Sequence, residues 1–147
     1  GLERRAKSLG VDKAVNFTGV VQRDAVPAHL AAFDIALQPA VTAYASPLKL
    51  FEYMAAGRAI IAPDMANIRE VIEPGAALLV ADADKAALFG ALDALVNDAG
   101  LRARFGAAAR EMLLRCGFTW DENARRVEET ARAAIEQKRS VLESKGR

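Results

Sequence analysis

The chain has 147 residues, 52% of them hydrophobic and 27% charged, which suits one folded domain and argues against intrinsic disorder. A single cysteine, Cys116, excludes an internal disulfide framework, and a single histidine, His29, excludes a His- and Cys-rich structural zinc site. The net charge of +1 argues against a nucleic-acid partner, and no apolar run approaches the roughly 18 residues of a spanning helix. No signal peptide opens the chain, so a reducing, cytoplasmic setting is expected. Gly1 stands directly in a charged helical pattern, which reads as a piece of something longer.

Leu2 to Leu9 predicts the last turns of a helix, with Gly10 in the left-handed position after it. Val15 to Thr18 predicts a short strand ended by Gly19. Asp24 to Phe33 predicts a helix with Pro27 in its first turn, where a missing N–H is harmless. Asp34 to Gln38 predicts a strand stopped by Pro39. Ser46 to Ala56 predicts a helix, Ala59 to Ala62 a fully apolar strand, Asn67 to Ile72 a short helix and Ala77 to Val80 a fourth strand. From Lys85 onward the pattern is helical. Leu88, Leu92, Leu95 and Val96 share one face, and Leu101, Phe105, Ala108 and Met112 share another. Thr119 and Glu122 form a capping box that opens a long helix to about Ser144, with Trp120 as a core anchor.

Strands alternating with helices imply parallel crossovers, and strands without polar alternation imply a sheet covered on both faces. The expected class is α/β: a Rossmann-like parallel sheet with a helical C-terminal extension. Charge divides unevenly. Residues 1–100 carry nine basic and twelve acidic side chains, and residues 101–147 carry eleven and seven. A solvated helix face and a mildly basic face toward an anionic membrane surface both fit that excess.

The segment from Tyr44 to Gly57 carries most of the chemistry. Ser46 suits an N-cap, Pro47 the first helical position and Gly57 the position after the helix. In open α/β sheets ligands bind beyond the carboxyl ends of the strands, and a helix N-terminus there suits a phosphate. Lys49 in the first turn opposes the helix dipole unless an anion is bound beside it. Glu52 borders the Leu48–Phe51–Ala55 face, which predicts a half-buried carboxylate able to accept both hydroxyls of a ribose. A Lys49–Glu52 ion pair at i,i+3 is the competing reading. His29 reads as a surface or structural histidine, Cys116 as packing, and Asp82 and Asp84 as helix caps.

In order along the chain, these pieces resemble the C-terminal, donor-binding half of a family 4 glycosyltransferase of the GT-B fold. They are Leu2–Gly10 with Val15–Gly19, Phe33–Pro39, the signature Ser46–Ala62, Ile68–Ile72, Leu78–Val80 and Phe118–Trp120. The resemblance implies retaining transfer of a sugar from a UDP- or GDP-linked donor, with no obligatory metal or other cofactor. It implies that Glu52 grips the ribose, and that Lys49 lies near the diphosphate with the backbone segment of Ser46, Pro47 and Leu48, whose N–H donors are those of Ser46 and Leu48. Gly19 and Val20 would lie beside the base. Tyr44 stands where the family has a first glutamate that touches the donor sugar, a departure from its pattern.

The resemblance also implies that residues 1–147 are a partial nucleotide-sugar-binding domain, with strands and helices over 1–98 and a helical extension over 99–147. The domain's first two strands, a basic pair and the N-terminal acceptor domain have no counterpart in the chain. The four predicted strands would then be 3, a gap, and 4-5-6 of a doubly wound sheet. The isolated chain is expected to be inactive, and the full protein is expected to sit in the cytoplasm or peripherally at the inner membrane face. The rivals are a non-catalytic nucleotide-binding or scaffolding module and a nucleotide-sugar epimerase of the same fold.

Overall fold

A computed structural model describes residues 1–40, 42 and 44–145. Helix α1 (Leu2–Ser8) is followed by 3-10 turns at Asp12–Ala14 and Arg23–Ala25, then α2 (Val26–Ala31), β1 (Ile35–Leu37) and α3 (Leu48–Ala55). After them come β2 (Ala59–Pro63), α4 (Ala66–Arg69), β3 (Leu78–Val80), α5 (Lys85–Asn97), α6 (Ala99–Arg115) and α7 (Trp120–Lys145).

The sheet has three parallel strands in the order β1-β2-β3. Ala36 pairs with Ile60, and Ala62 with Leu79. Every residue of β2 is buried, so its side chains alternate between two cores rather than between core and water. Ile60 and Ala62 face Leu50, Met54, Ile68, Ala109 and Leu113 of α3, α4 and α6. Ala59 and Ile61 face Leu95 of α5, together with Leu88, Leu92, Leu101 and Phe105. Helix α6 therefore contributes to both cores, its first turns to one and its last turns to the other.

The α/β class with a covered parallel sheet is present, but the predicted strand at Val15–Thr18 is not. Val15 has extended backbone, yet nothing pairs with this segment among the described residues, and Val15 and Phe17 are each 41% exposed. A strand exists only through its ladder, and the outer edge of β1 does not take this segment up.

Polar groups fix the ends of the helices. Asp84 accepts from the Ala87 amide at 2.9 Å, and Asp98 from the Leu101 amide at 2.7 Å. Arg102 donates to the Leu95 and Val96 carbonyls at the end of α5, the service that a basic side chain offers orphan carbonyls. Helix α3 ends in a Schellman motif: the Gly57 amide donates to Met54 (3.0 Å) and the Arg58 amide to Tyr53 (3.1 Å), with Gly57 at φ +62°.

Thr119 caps α7 through the Glu122 amide at 3.3 Å. Trp120, expected as a core anchor, is 84% exposed. The Thr119 cap fixes where the helix starts, while the Glu122 carboxylate accepts from Arg125 and Arg126 instead of completing a capping box; the cap does not fix which face meets the core. Val127, Ile135 and Leu142 of the same helix are also exposed. Its arginines Arg125, Arg126 and Arg132 are each paired with a glutamate of the same helix. Among the described residues no helix is long and apolar enough to cross a membrane.

Candidate functional site

The carboxyl ends of the three strands, at Leu37, Pro63 and Val80, share one edge of the sheet. A shallow hollow lies there between Gln38, Pro39, Asp82 and Lys85. From β1 the chain runs through residues 38–47 into α3. Pro47 is buried, with φ −81° and ψ 66°, the geometry of an inverse γ-turn. The Leu48 amide accordingly donates back to the Ser46 carbonyl at 2.9 Å, and the Leu50 amide to Pro47 at 2.8 Å.

Ser46 therefore does not cap the helix. The non-helical ψ of Pro47 starts α3 at Leu48, and no side chain caps it. The Leu48 amide is already occupied. Among the described residues nothing accepts from the Lys49 amide, and the Lys49 ammonium is in no ion pair.

The buried face of α3 is Leu50, Tyr53 and Met54. Leu48 is 67% exposed, Ala55 is exposed and Phe51 only half-buried. Glu52, expected half-buried on the Leu48–Phe51–Ala55 side, is exposed. That side is the rim of the helix, not its core face. No ion pair joins Glu52 to Lys49 among the described residues, so its carboxylate stands open to a ligand. Burial, and then the charge of Glu52, raises the pKa of the neighbouring Tyr53 hydroxyl.

Glu52 borders two hollows. One, of about 470 Å³, brings Ser46, Leu48 and Glu52 together with Phe118, Trp120 and Asn123. Phe118 meets Phe51 edge to face, with ring centroids 5.1 Å apart. The other, of about 550 Å³, has Glu52 with Arg23, Leu30 and Arg110. Arg110 spends one N–H on the Ala55 carbonyl at 2.8 Å. Gly19, Val20, Tyr44 and Lys49 line neither hollow. Gly19 has φ +66°, and Val20 and Tyr44 point into open solvent, Tyr44 at 92% exposure.

The remaining candidates have local roles. His29 Nδ1 is 3.0 Å from the Ala25 carbonyl of its own helix region, and Cys116 packs half-buried against the core. Among the described residues no three His, Cys, Asp or Glu side chains cluster to hold a metal ion. Asn67 is marked by the sequence only as the start of a short helix. Its side chain reaches the loop before α3, bonding the Thr42 and Ala45 carbonyls. No spacing rule signals a side chain that reaches back to an earlier loop.

Comparison with known proteins gives the context. The family model described as glycosyl transferases group 1 matches residues 1–98. A phosphatidyl-myo-inositol mannosyltransferase of Mycobacterium leprae is 32% identical over 117 residues, covering 79% of this chain and 31% of the relative. Among solved structures, a sucrose-phosphate synthase from Thermosynechococcus elongatus superposes with TM-score 0.79 at 23% identity, over 92% of this chain and 34% of that one. HepE of Anabaena, solved in complex with UDP, gives 0.78 at 20% identity, over 90% and 36%. The C-terminal domain of a group 1 glycosyl transferase from Francisella tularensis gives 0.69 at 25% identity, over 78% and 59%. The chain thus spans about a third of the length of the curated relative. It shares the Rossmann-like GT-B architecture of the solved structures. With its family model matched over two-thirds of its residues, this chain belongs to the group 1 glycosyltransferases.

Proposed function

We propose that this chain is the donor-nucleotide-binding part of a retaining glycosyltransferase that uses a UDP- or GDP-linked sugar and needs no metal. The observation that carries the reading is at α3. The helix starts beyond the carboxyl ends of the strands with a Lys49 that is in no ion pair among the described residues, and presents an open Glu52 carboxylate one turn later. A carboxylate so placed accepts both ribose hydroxyls. The Lys49 ammonium and amide offset the charge that grows on the leaving diphosphate, which lowers the barrier to departure. Gly19 and Val20 are the proposed neighbours of the base. HepE, of like fold, has been solved with UDP and with UDP-glucose, which supports a nucleotide sugar as the ligand here.

The test is Glu52→Ala in the complete enzyme, with UDP and GDP affinity measured by calorimetry. Removing two hydrogen bonds to a charged acceptor is expected to weaken binding about a hundredfold or more. Undiminished affinity would count against the assignment. A second reading, a non-catalytic nucleotide-binding module, draws on Tyr44 standing in open solvent where the family carries a glutamate. Sugar transfer by the full-length protein separates the two.

A further inference from the structure

Within the loop that leads into α3, residues 40–46 are tied to α4 by a side chain. Asn67 Nδ2 donates to the Thr42 carbonyl at 3.1 Å and to the Ala45 carbonyl at 2.8 Å. Both oxygens belong to one turn, closed by the Ala45 amide on Thr42 at 3.0 Å. Ser46 and Pro47 follow at once, and then Lys49. Among the described residues no other hydrogen bond joins residues 40–46 to a segment beyond the loop's own flanks.

The mount that holds Asn67 is firm. Its neighbour Ile68 is fully buried. The Asp64 amide donates to Val80 at 2.7 Å, and Arg69 grips the Asp64 carboxylate with Nη2 on Oδ2 at 2.6 Å. That hydrogen bond, then the guanidinium charge, holds the Asp64 pKa below its usual range. Asn67 Oδ1 is buried without a partner among the described residues, so its amide is committed to the turn at a cost in desolvation. A half-buried amide that spends both of its donors on two carbonyls of one loop sets a position; it does not merely decorate a surface.

We propose that Asn67 is a positioning residue for the diphosphate end of the donor site. It fixes the 42–45 turn, and through it the place where the Lys49 amide and ammonium meet the phosphates. The proposal rests on the donor-binding reading above. Asn67 itself does not touch the ligand. Glu52 lies one turn further into α3, beside buried Tyr53 and Met54 and the Schellman end, whereas Lys49 is in the first turn, next to the tied loop. Loss of the tie therefore displaces the phosphate groups and leaves the ribose carboxylate in place.

The experiment compares the complete wild-type enzyme with Asn67→Ala and Asn67→Asp, the latter keeping the shape and losing both donors. Affinities are measured for UDP and GDP and, in parallel, for uridine and guanosine. Diphosphate affinity is expected to fall about tenfold or more, the cost of losing one hydrogen bond to a charged group, while nucleoside affinity stays unchanged. Unchanged diphosphate affinity, or an equal loss for diphosphate and nucleoside, overturns the proposal. Should both variants fail to fold, amide hydrogen exchange on the wild type decides. The diphosphate must protect residues 42–50 beyond the protection a nucleoside gives, and no extra protection overturns the proposal. If the wild type binds neither UDP nor GDP, the donor reading falls and takes the proposal with it. If the wild type binds and the variants keep its selectivity, the role of Asn67 alone falls.

Discussion

Gly106, in the middle of α6, lies against the turn that ends α3. A Cβ at 106 would sit deep inside contact distance of the Gly57 carbonyl oxygen and 3.0 Å from its carbon. Those atoms are backbone of the Schellman turn and cannot swing aside. Gly90, in α5, has nothing within 4 Å of such a Cβ and is exposed. The two glycines therefore respond to alanine with opposite sign. Gly90→Ala is expected to stabilise by about 0.5–1 kcal/mol, the helix-propensity gain. Gly106→Ala is expected to destabilise by about 1–3 kcal/mol through overpacking, with a melting temperature lower by several degrees. Thermal unfolding of both variants checks this, and a stabilised Gly106→Ala would show that α6 can retreat from the turn. Gly57 was legible in the sequence because its role is local, at the end of one helix. Gly106 was not, since what constrains it arrives from another part of the chain.

At the scale of elements, local signals held at the Asp84 and Thr119 caps, Gly57 and the fully apolar β2, though not at Ser46, where the non-helical ψ of Pro47 starts α3 later. They failed where the outcome depends on distant surroundings. Val15–Thr18 has strand composition and no ladder. Trp120 has a core side chain and no core beside it. Of the candidate site, the sequence located Glu52 and Lys49 on α3 but misjudged the face, because the helix buries Leu50, Tyr53 and Met54 against β2 and α6. Helix α7 yields a prediction of its own. A side-chain hydrogen bond from Arg125, followed by the charges of Arg125 and Arg126, lowers the Glu122 pKa from 4.5 to about 2. A depressed carboxylate pKa stabilises the fold above the ordinary pKa, and that stabilisation is lost as pH falls through the folded value. The melting-temperature gap between wild type and Glu122→Gln is expected to be full above pH 4.5 and to close as pH falls toward about 2. A gap that persists below pH 2 would mean that Glu122 acts through packing rather than charge.

Across the whole molecule, the sheet is covered on both faces while its carboxyl edge and the start of α3 remain open. Glu52, Lys49 and Tyr44 are all exposed. Every wall of the two hollows beside Glu52 comes from α2, α3, α6, α7 and their flanking loops, on one side of any ligand. Binding a nucleotide on such a surface is feasible. Transferring a sugar demands more: the acceptor must be held in line with the anomeric carbon, and water must be kept from competing for it. Neither condition is met by an exposed half-site, and the relative that matches 79% of this chain is about two and a half times as long. On the proposed donor-binding reading, the 147-residue chain by itself is expected to transfer no sugar from UDP- or GDP-linked donors, and a protein that adds the opposite side of the cleft is expected to do so. Mass spectrometry of glycoside product, run on both with the same donors and acceptors, makes the comparison. Product from the short chain alone would mean that one side of the cleft suffices for chemistry, and that the acceptor is held by the α3–α7 surface itself.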